Sequence, residues 1–328
     1  MWQVIGQDKV LALLDRSLEE NTTAHAYLLV GPHHVGKRTL ALNLAQALNC
    51  DGRKPPCGQC YSCHRILEHK HADVICTGLD SKTEIGIDAM RELQRLANLP
   101  PYEGKCKVFI IEDAEYLSTE AANSLLKILE EPPPKVVWLL LTAEEARLLP
   151  TIISRCQRLE LKPMPLEQVE QILISGYNID AGKAKLLARL CHGCLGWALS
   201  SLADDILEQR SQRVTKLSSL TSASLEQRFA YAQELATQFS QNRRSVAEVM
   251  GIWLGWWRDL MLIKGDCKEA IANIDYEMAL EKQAKSLSLN EIKEFLANLH
   301  LVQEEISKNV NPRLAVESLM LNLPRKNN

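Results

Sequence analysis

The first half of the chain alternates short β-branched or apolar runs with stretches whose apolar residues recur every three or four positions, the rhythm of a parallel sheet flanked by helices. The runs fall at 26–30, 73–76, 107–111, 136–141 and 157–161. Between them, 37–49, 87–96 and 120–129 carry helical spacing, and connections of that length can cross over between parallel strands. Pro163 and Pro165 end the last run, and from Glu167 onward the pattern turns helical. Segments 166–176 and 181–191 read as two helices, the first stopped by Gly176 and the second by Gly193 and Gly196, which suits a small lid. Beyond about residue 200 the chain is rich in Leu, Ala, Gln and Glu, with Ile292, Leu296, Leu299 and Val302 on one face of 290–306. The expected division is an α/β domain over 1–163, a lid over 164–203 and an all-helical domain over 204–328. Trp253, Trp256, Trp257 and Leu260 also fall at helical spacing, either as core or as part of a subunit interface, where Trp is enriched.

Composition narrows this picture without changing it. The 328 residues are 46% hydrophobic and 24% charged, which excludes a disordered or fibrous chain. The net charge of −3 gives no global basic field, so any contact with DNA has to be local or shared with other chains. Gln3, Gln7, Asp8 and Lys9 interrupt the first ten residues, which therefore lack the apolar centre of a signal peptide. Glu248, Arg258 and Asp259 interrupt the most apolar long stretch and argue against a membrane span. A cytosolic protein with no membrane partner is expected.

Three groups of residues carry chemistry. Gly31-Pro32-His33-His34-Val35-Gly36-Lys37-Arg38-Thr39 follows a strand and opens a helix, so its backbone N–H groups are placed to cradle a phosphate. The GxxxxGK pattern next requires Ser or Thr to ligate Mg²⁺. Arg38 stands there instead, and Thr39, one step late, is turned by about 100° around the helix. The strand at 107–111 runs out into Glu112, Asp113 and Glu115, at the place where nucleoside triphosphatases organise Mg²⁺ and the attacking water. The order is Glu-Asp, the reverse of the usual one. Two departures in one site point to a phosphate-loop fold retained without catalysis, with Gly31, Gly36, Lys37, Arg38, Thr39, Glu112, Asp113 and Thr142 as a degenerate nucleotide site. Lys37 can still hold a phosphate as a point charge, so an empty and an occupied but inert site are both open.

Cys50, Cys57, Cys60 and Cys63 are spaced C-x6-C-x2-C-x2-C on a Gly- and Pro-rich stretch. Four thiolates from one tight loop fit tetrahedral Zn²⁺, with His64 as an alternative ligand, and a Cys₄ site is structural because no coordination position stays open. Cys191 and Cys194 also form a CxxC pair, but without a redox context they read as buried small residues, and Cys76, Cys106, Cys156 and Cys267 read as packing. The third group is Ser154-Arg155-Cys156. An arginine at a domain edge is either a solvated charge or a group that reaches a nucleotide on a neighbouring subunit.

Together these motifs resemble the bacterial clamp-loader family of AAA+ proteins. The resemblance runs from Val4-Ile5-Gly6-Gln7 through His25-Ala26-Tyr27, the phosphate loop, the cysteines and Ile87-Asp88-Arg91-Leu93 to Ser154-Arg155-Cys156. Its most specific stretch is Ala121-Ala122-Asn123-Ser124-Leu125-Leu126-Lys127-Ile128-Leu129-Glu130-Glu131-Pro132-Pro133, and it resumes weakly at Asn311-Pro312-Arg313-Leu314-Ala315. The implied fold is an α/β AAA+ P-loop domain, a helical lid and an all-α collar that holds a ring of subunits. The family's ATP-hydrolysing gamma and tau subunits keep GK[ST] and Asp-Glu, whereas a non-hydrolysing member degrades both, and this chain is shorter than a tau-like subunit. The resemblance implies that Arg155 acts in trans as an arginine finger on ATP and Mg²⁺ in the neighbouring subunit. It also places Thr142 at the first polar sensor and puts Trp197 where the ATPases carry a sensor arginine. Implied partners are the gamma/tau and delta subunits, the sliding clamp and, through the complex, primed DNA. An autonomous gamma-like ATPase and a zinc-bearing scaffold without catalytic arginine are the alternatives.

Overall fold

The computed structural model describes residues 2–79, 84–203, 206–241, 243–307 and 311–325. Two compact units emerge, Met1–Pro165 with Gly193–Trp197 and Leu166–His192 with Ala198–Asn328. In chain order the first contains α1 (Asp8–Glu19), β1 (Ala26–Val30), α2 (Lys37–Asn49), α3 (Tyr61–Leu67), β2 (Val74–Thr77), α4 (Ile87–Ala97), β3 (Lys107–Ile111), α5 (Thr119–Glu130), β4 (Val136–Thr142), α6 (Pro150–Ile153) and β5 (Gln157–Glu160). The helices that follow are α7 (Leu166–Tyr177), α8 (Ala181–Leu190), α9 (Leu195–Ala203), α10 (Ile206–Leu220), α11 (Leu225–Gln241), α12 (Arg243–Lys264), α13 (Glu277–Ser286), α14 (Leu289–Ser307) and α15 (Pro312–Leu321). None of the described helices is long and apolar enough to cross a membrane.

The five strands form one parallel sheet in the order β2-β3-β4-β1-β5. Alternate residues serve opposite faces. Leu28, Phe109, Ile111, Trp138 and Leu140 pack with Met90, Leu125 and Ile152 on one side. Tyr27, Leu29, Ile110, Leu139 and Leu141 pack with Leu14, Leu40 and Leu44 on the other. Because β1, β3 and β4 are covered on both faces, these strands are fully buried apolar runs, whereas the edge strands β2 and β5 are partly exposed. The parallel sheet flanked by helices, with a helical C-terminal region, is the fold class the pattern implied.

The differences are local. Helix α1 was not anticipated; Gln7 before it makes no side-chain cap but bonds Lys162 through both its amide atoms, tying the helix to the end of the sheet. Gly176 does not end α7, which continues through Tyr177 and turns at Asn178 with φ 53°. Asn is the non-glycine residue that best tolerates this left-handed conformation. The tryptophan stripe is core, as Trp253, Trp256 and Trp257 are each 1% exposed or less, and Phe295 packs 4.4 Å from the Trp257 ring centroid. In the same unit the buried Arg228 donates to the carbonyls of Leu220 and Thr221, at the end of α10, and of Met320 and Leu323, at the end of α15. The negative ends of two helices thus stand in for a carboxylate.

Candidate functional site

The sheet gathers the phosphate loop, Glu112 and Thr142 at the carboxyl ends of β1, β3 and β4, the edge where open α/β sheets bind ligands. Gly31 N–H donates to the Thr142 carbonyl at 3.2 Å, and a Cβ on Gly31 would lie 2.5 Å from the Leu161 carbonyl. Only glycine lets the loop pass there. Gly36 precedes α2 with φ 107°, and its conformation aims the first turn of the helix. Lys37 Nζ folds back to donate to the carbonyls of Gly31 and Pro32. On the same turn Arg38 Nε lies 2.9 Å from Glu112 Oε1, while Thr39 is exposed one position on. The Arg38–Glu112 pair spans the line from first helical turn to strand end along which hydroxyl, Mg²⁺ and carboxylate are arrayed in working nucleoside triphosphatases. A guanidinium already on that carboxylate oxygen repels a divalent cation that would share it.

The remaining acidic residues turn elsewhere. Asp113 adopts φ 54° and begins a tight turn, and the buried Glu115 accepts the Ala143 N–H at 3.0 Å. Thr142 is buried, and its hydroxyl accepts the Glu144 N–H at 3.1 Å, so it fixes the exit of β4. The loop is also covered from the chain segment after α8. Gly196 N–H donates to the His34 carbonyl at 3.1 Å, and a Cβ on Gly196 would stand 2.6 Å from that oxygen. Trp197, half-buried, follows at once.

At the other end of α2 the chain forms the cysteine loop. The sulfurs of Cys50, Cys57, Cys60 and Cys63 all lie within 4.8 Å of one another, and those of Cys57 and Cys63 are 4.0 Å apart. Tetrahedral zinc with bonds of about 2.3 Å needs sulfur separations of about 3.8 Å, so a small inward adjustment completes the set. Backbone donors already face the thiolates. Gly52 and Cys57 N–H groups point at Cys50 Sγ, and those of Gln59 and Cys60 point at Cys57 Sγ, lowering that thiol to about 6. Burial pushes Cys63 up, the opposite of what a free thiol serving as a ligand needs, and a bound cation would reverse it. These four residues fit a metal. His64 is not part of the cluster, lying on α3 outside the converging sulfurs.

The loop is held from α2. Gln46 donates to the Cys63 carbonyl at 2.8 Å, Asn49 accepts from Lys105 and Cys106 N–H, and Lys105 Nζ reaches the Cys50 carbonyl. Behind it Asp73, buried at the start of β2, accepts N–H bonds from Tyr102, Glu103 and Gly104. Burial alone would raise this carboxyl, but the three donors outweigh it and hold Asp73 below the usual aspartate range. Of the other cysteines, Cys191 and Cys194 are buried, whereas Cys76 and Cys267 are exposed. The packing expectation fails for those two, because β2 is an edge strand and Cys267 lies in the turn after α12.

Arg155 follows α6. Its Nη1 donates to the Thr151 carbonyl at 2.9 Å and its Nη2 to Glu130 Oε1 at 2.8 Å. The side chain is 34% exposed.

A family model described as DNA polymerase III, delta subunit, matches residues 6–165. The chain belongs to the clamp-loader family of DNA polymerase III. It is 37% identical to DNA polymerase III subunit tau of Escherichia coli K12 over 60% of this chain and 31% of that one. Against subunit delta' of Bacillus subtilis 168 it is 29% identical over 97% of this chain and 96% of that one. Against subunit tau/gamma of Haemophilus influenzae it is 31% identical over 92% of this chain and 44% of that one. This clamp-loader chain thus spans less than half the length of the tau-type relatives named here. Among solved structures, a gamma subunit-related protein of Thermotoga maritima aligns with a TM-score of 0.45 at 19% identity, covering 97% of this chain and 99% of that one. The RuvB Holliday junction branch migration motor of the same organism aligns at 0.42 and 16% identity, over 79% and 77%.

In this clamp-loader chain Gly31, Gly36, Lys37, Arg38, Glu112 and Thr142 are gathered at one sheet edge, and the four cysteines converge at the far end of α2. Asp113 begins the turn after β3, and Thr39 is exposed on the first turn of α2. Sequence reasoning missed Gln46, Asn49, Asp73 and Glu130, whose polar side chains act on residues distant in the chain. Asp73 showed in the sequence only as the first residue of the run at 73–76.

Proposed function

We propose that this clamp-loader chain is a delta'-type subunit that hydrolyses no ATP itself and supplies Arg155 to the nucleotide site of a neighbouring subunit. The observation that carries the reading is the Arg38–Glu112 ion pair at 2.9 Å, in which a protein cation engages the strand-end carboxylate that a Mg²⁺ site would need. Lys37 is turned onto the Gly31 and Pro32 carbonyls, so the ammonium that would face a phosphate is engaged by the loop itself. Arg155 stands apart from that site, on the surface after α6 and partly exposed, as a group serving another chain must be. When the neighbour's γ-phosphoryl transfers to water, charge spreads over its equatorial oxygens, and the Arg155 guanidinium offers donors to them. The neighbour is a gamma/tau ATPase, the delta subunit completes the ring, and the assembly opens a sliding clamp on primed DNA. In this reading residues 164–203 serve as lid and 204–328 as collar, and zinc on Cys50, Cys57, Cys60 and Cys63 braces the surface loop after α2.

In a reconstituted complex Arg155→Ala is expected to lower DNA-stimulated ATP hydrolysis by about 10³-fold at the site it serves while assembly is unchanged. An unchanged rate would favour the scaffold reading. Hydrolysis by the isolated chain that vanishes in Lys37→Ala would instead establish an autonomous ATPase.

A further inference from the structure

We propose that Glu130 is a positioning residue for Arg155, aiming its guanidinium toward the nucleotide of the neighbouring subunit. The inference rests on the reading of Arg155 given above and adds the group that orients it.

Helix α5 stops at Glu130 because Pro132 and Pro133 cannot extend it. Helix α6 begins with Pro150 and ends at Ile153, so the two helix ends deliver Glu130 and Arg155 to one patch from positions 25 residues apart. There the Arg155 side chain has two anchors on opposite nitrogens, the Thr151 carbonyl at 2.9 Å and Glu130 Oε1 at 2.8 Å. An unanchored arginine carries large rotamer freedom, all of which is lost on docking to a phosphate. Holding it beforehand shifts that loss to folding.

The mode of attachment decides between aiming and sequestering. Arg158, three residues on, is forked onto both oxygens of Glu145, with Nε at 2.8 Å from Oε1 and Nη2 at 2.9 Å from Oε2. Its remaining Nη1 reaches Glu160 at 3.2 Å. That guanidinium is consumed by its own chain. Arg155 is bonded by a single carboxylate oxygen, and its Nε–H takes part in none of these contacts. A guanidinium has five N–H donors and these contacts use at most three, so Nε–H and a second hydrogen on Nη2 remain to donate to a phosphoryl oxygen while Glu130 and Thr151 grip the rest.

The test compares Glu130→Ala, Glu130→Gln, Glu131→Ala and Arg155→Ala in the reconstituted complex, measuring kcat and KM for ATP in DNA-stimulated hydrolysis. Glu130→Ala is expected to lower kcat about tenfold with KM unchanged, since it blurs aim without touching ground-state binding. Glu130→Gln keeps an oxygen for the same N–H and should stay within about twofold of the parent. Glu131→Ala removes the same charge from the same helix end without touching Arg155 and should leave kcat unchanged. Parent-like kcat in Glu130→Ala, a rise in its kcat, or an equal loss in Glu131→Ala would overturn the proposal. If Arg155→Ala collapses the rate while Glu130→Ala does not, only the positioning role fails. If Arg155→Ala has no effect, the finger reading fails with it.

Discussion

Helix α2 carries a candidate site at each end, and the two differ in what fills them. At its N-terminus lies the phosphate loop, where Lys37 donates to the loop carbonyls and Arg38 pairs with Glu112. At its C-terminus four cysteines converge, with N–H donors already aimed at their sulfurs. The first end pairs its charged groups within the chain, whereas the second gathers four sulfurs that as thiolates would repel one another without a cation. A backbone motif therefore says where a ligand fits, and the side chains' own pairing decides whether one is needed.

The contrast breaks most visibly at the cysteine end. Cys60→Ser is expected to take zinc from about one per chain to none and to expose the amides of residues 50–64 to hydrogen exchange. Elemental analysis and exchange mass spectrometry check this. Retained zinc would remove Cys60 from the ligand set.

Asp73→Asn comes next. It deprives the N–H groups of Tyr102, Glu103 and Gly104 of their charged acceptor and should cost about 2 kcal/mol at neutral pH in denaturant unfolding. The native carboxyl is held below its ordinary value of 3.8. Its contribution is therefore full above that value and fades as pH falls through the lowered one, so parent and variant should converge in acid. A gap independent of pH would show that packing alone is responsible.

At the other end, Arg38→Ser removes the cation beside Glu112 and should raise the affinity of the isolated chain for MgATP about tenfold, or about 1.4 kcal/mol, by calorimetry. Unchanged affinity would mean that the covering contact of Gly196 on His34 closes the site. The smallest effect is expected for Gln46→Leu, which severs the bond from α2 to the Cys63 carbonyl and should lower stability by about 1 kcal/mol with zinc retained.

The sequence by itself determined the sheet and much of its chemistry. Strands β1 and β3 lie on the residues their apolar runs indicated, because burial on both faces leaves an unbroken hydrophobic record. The phosphate loop and the cysteine spacing were legible because each concentrates its chemistry within about a dozen residues, as the tight turn and the four-sulfur site demand. What only the tertiary structure decided are the long-range pairings. Arg38 finds Glu112, Arg155 finds Glu130, and Asn49 and Asp73 bind backbone far along the chain. Single polar side chains obey no period, and the sheet order that brings the strand ends together is not written in any one segment. The tryptophans of α12 make the same point, since helical spacing shows that they share a face, and only packing shows that this face is covered by the chain's own helices.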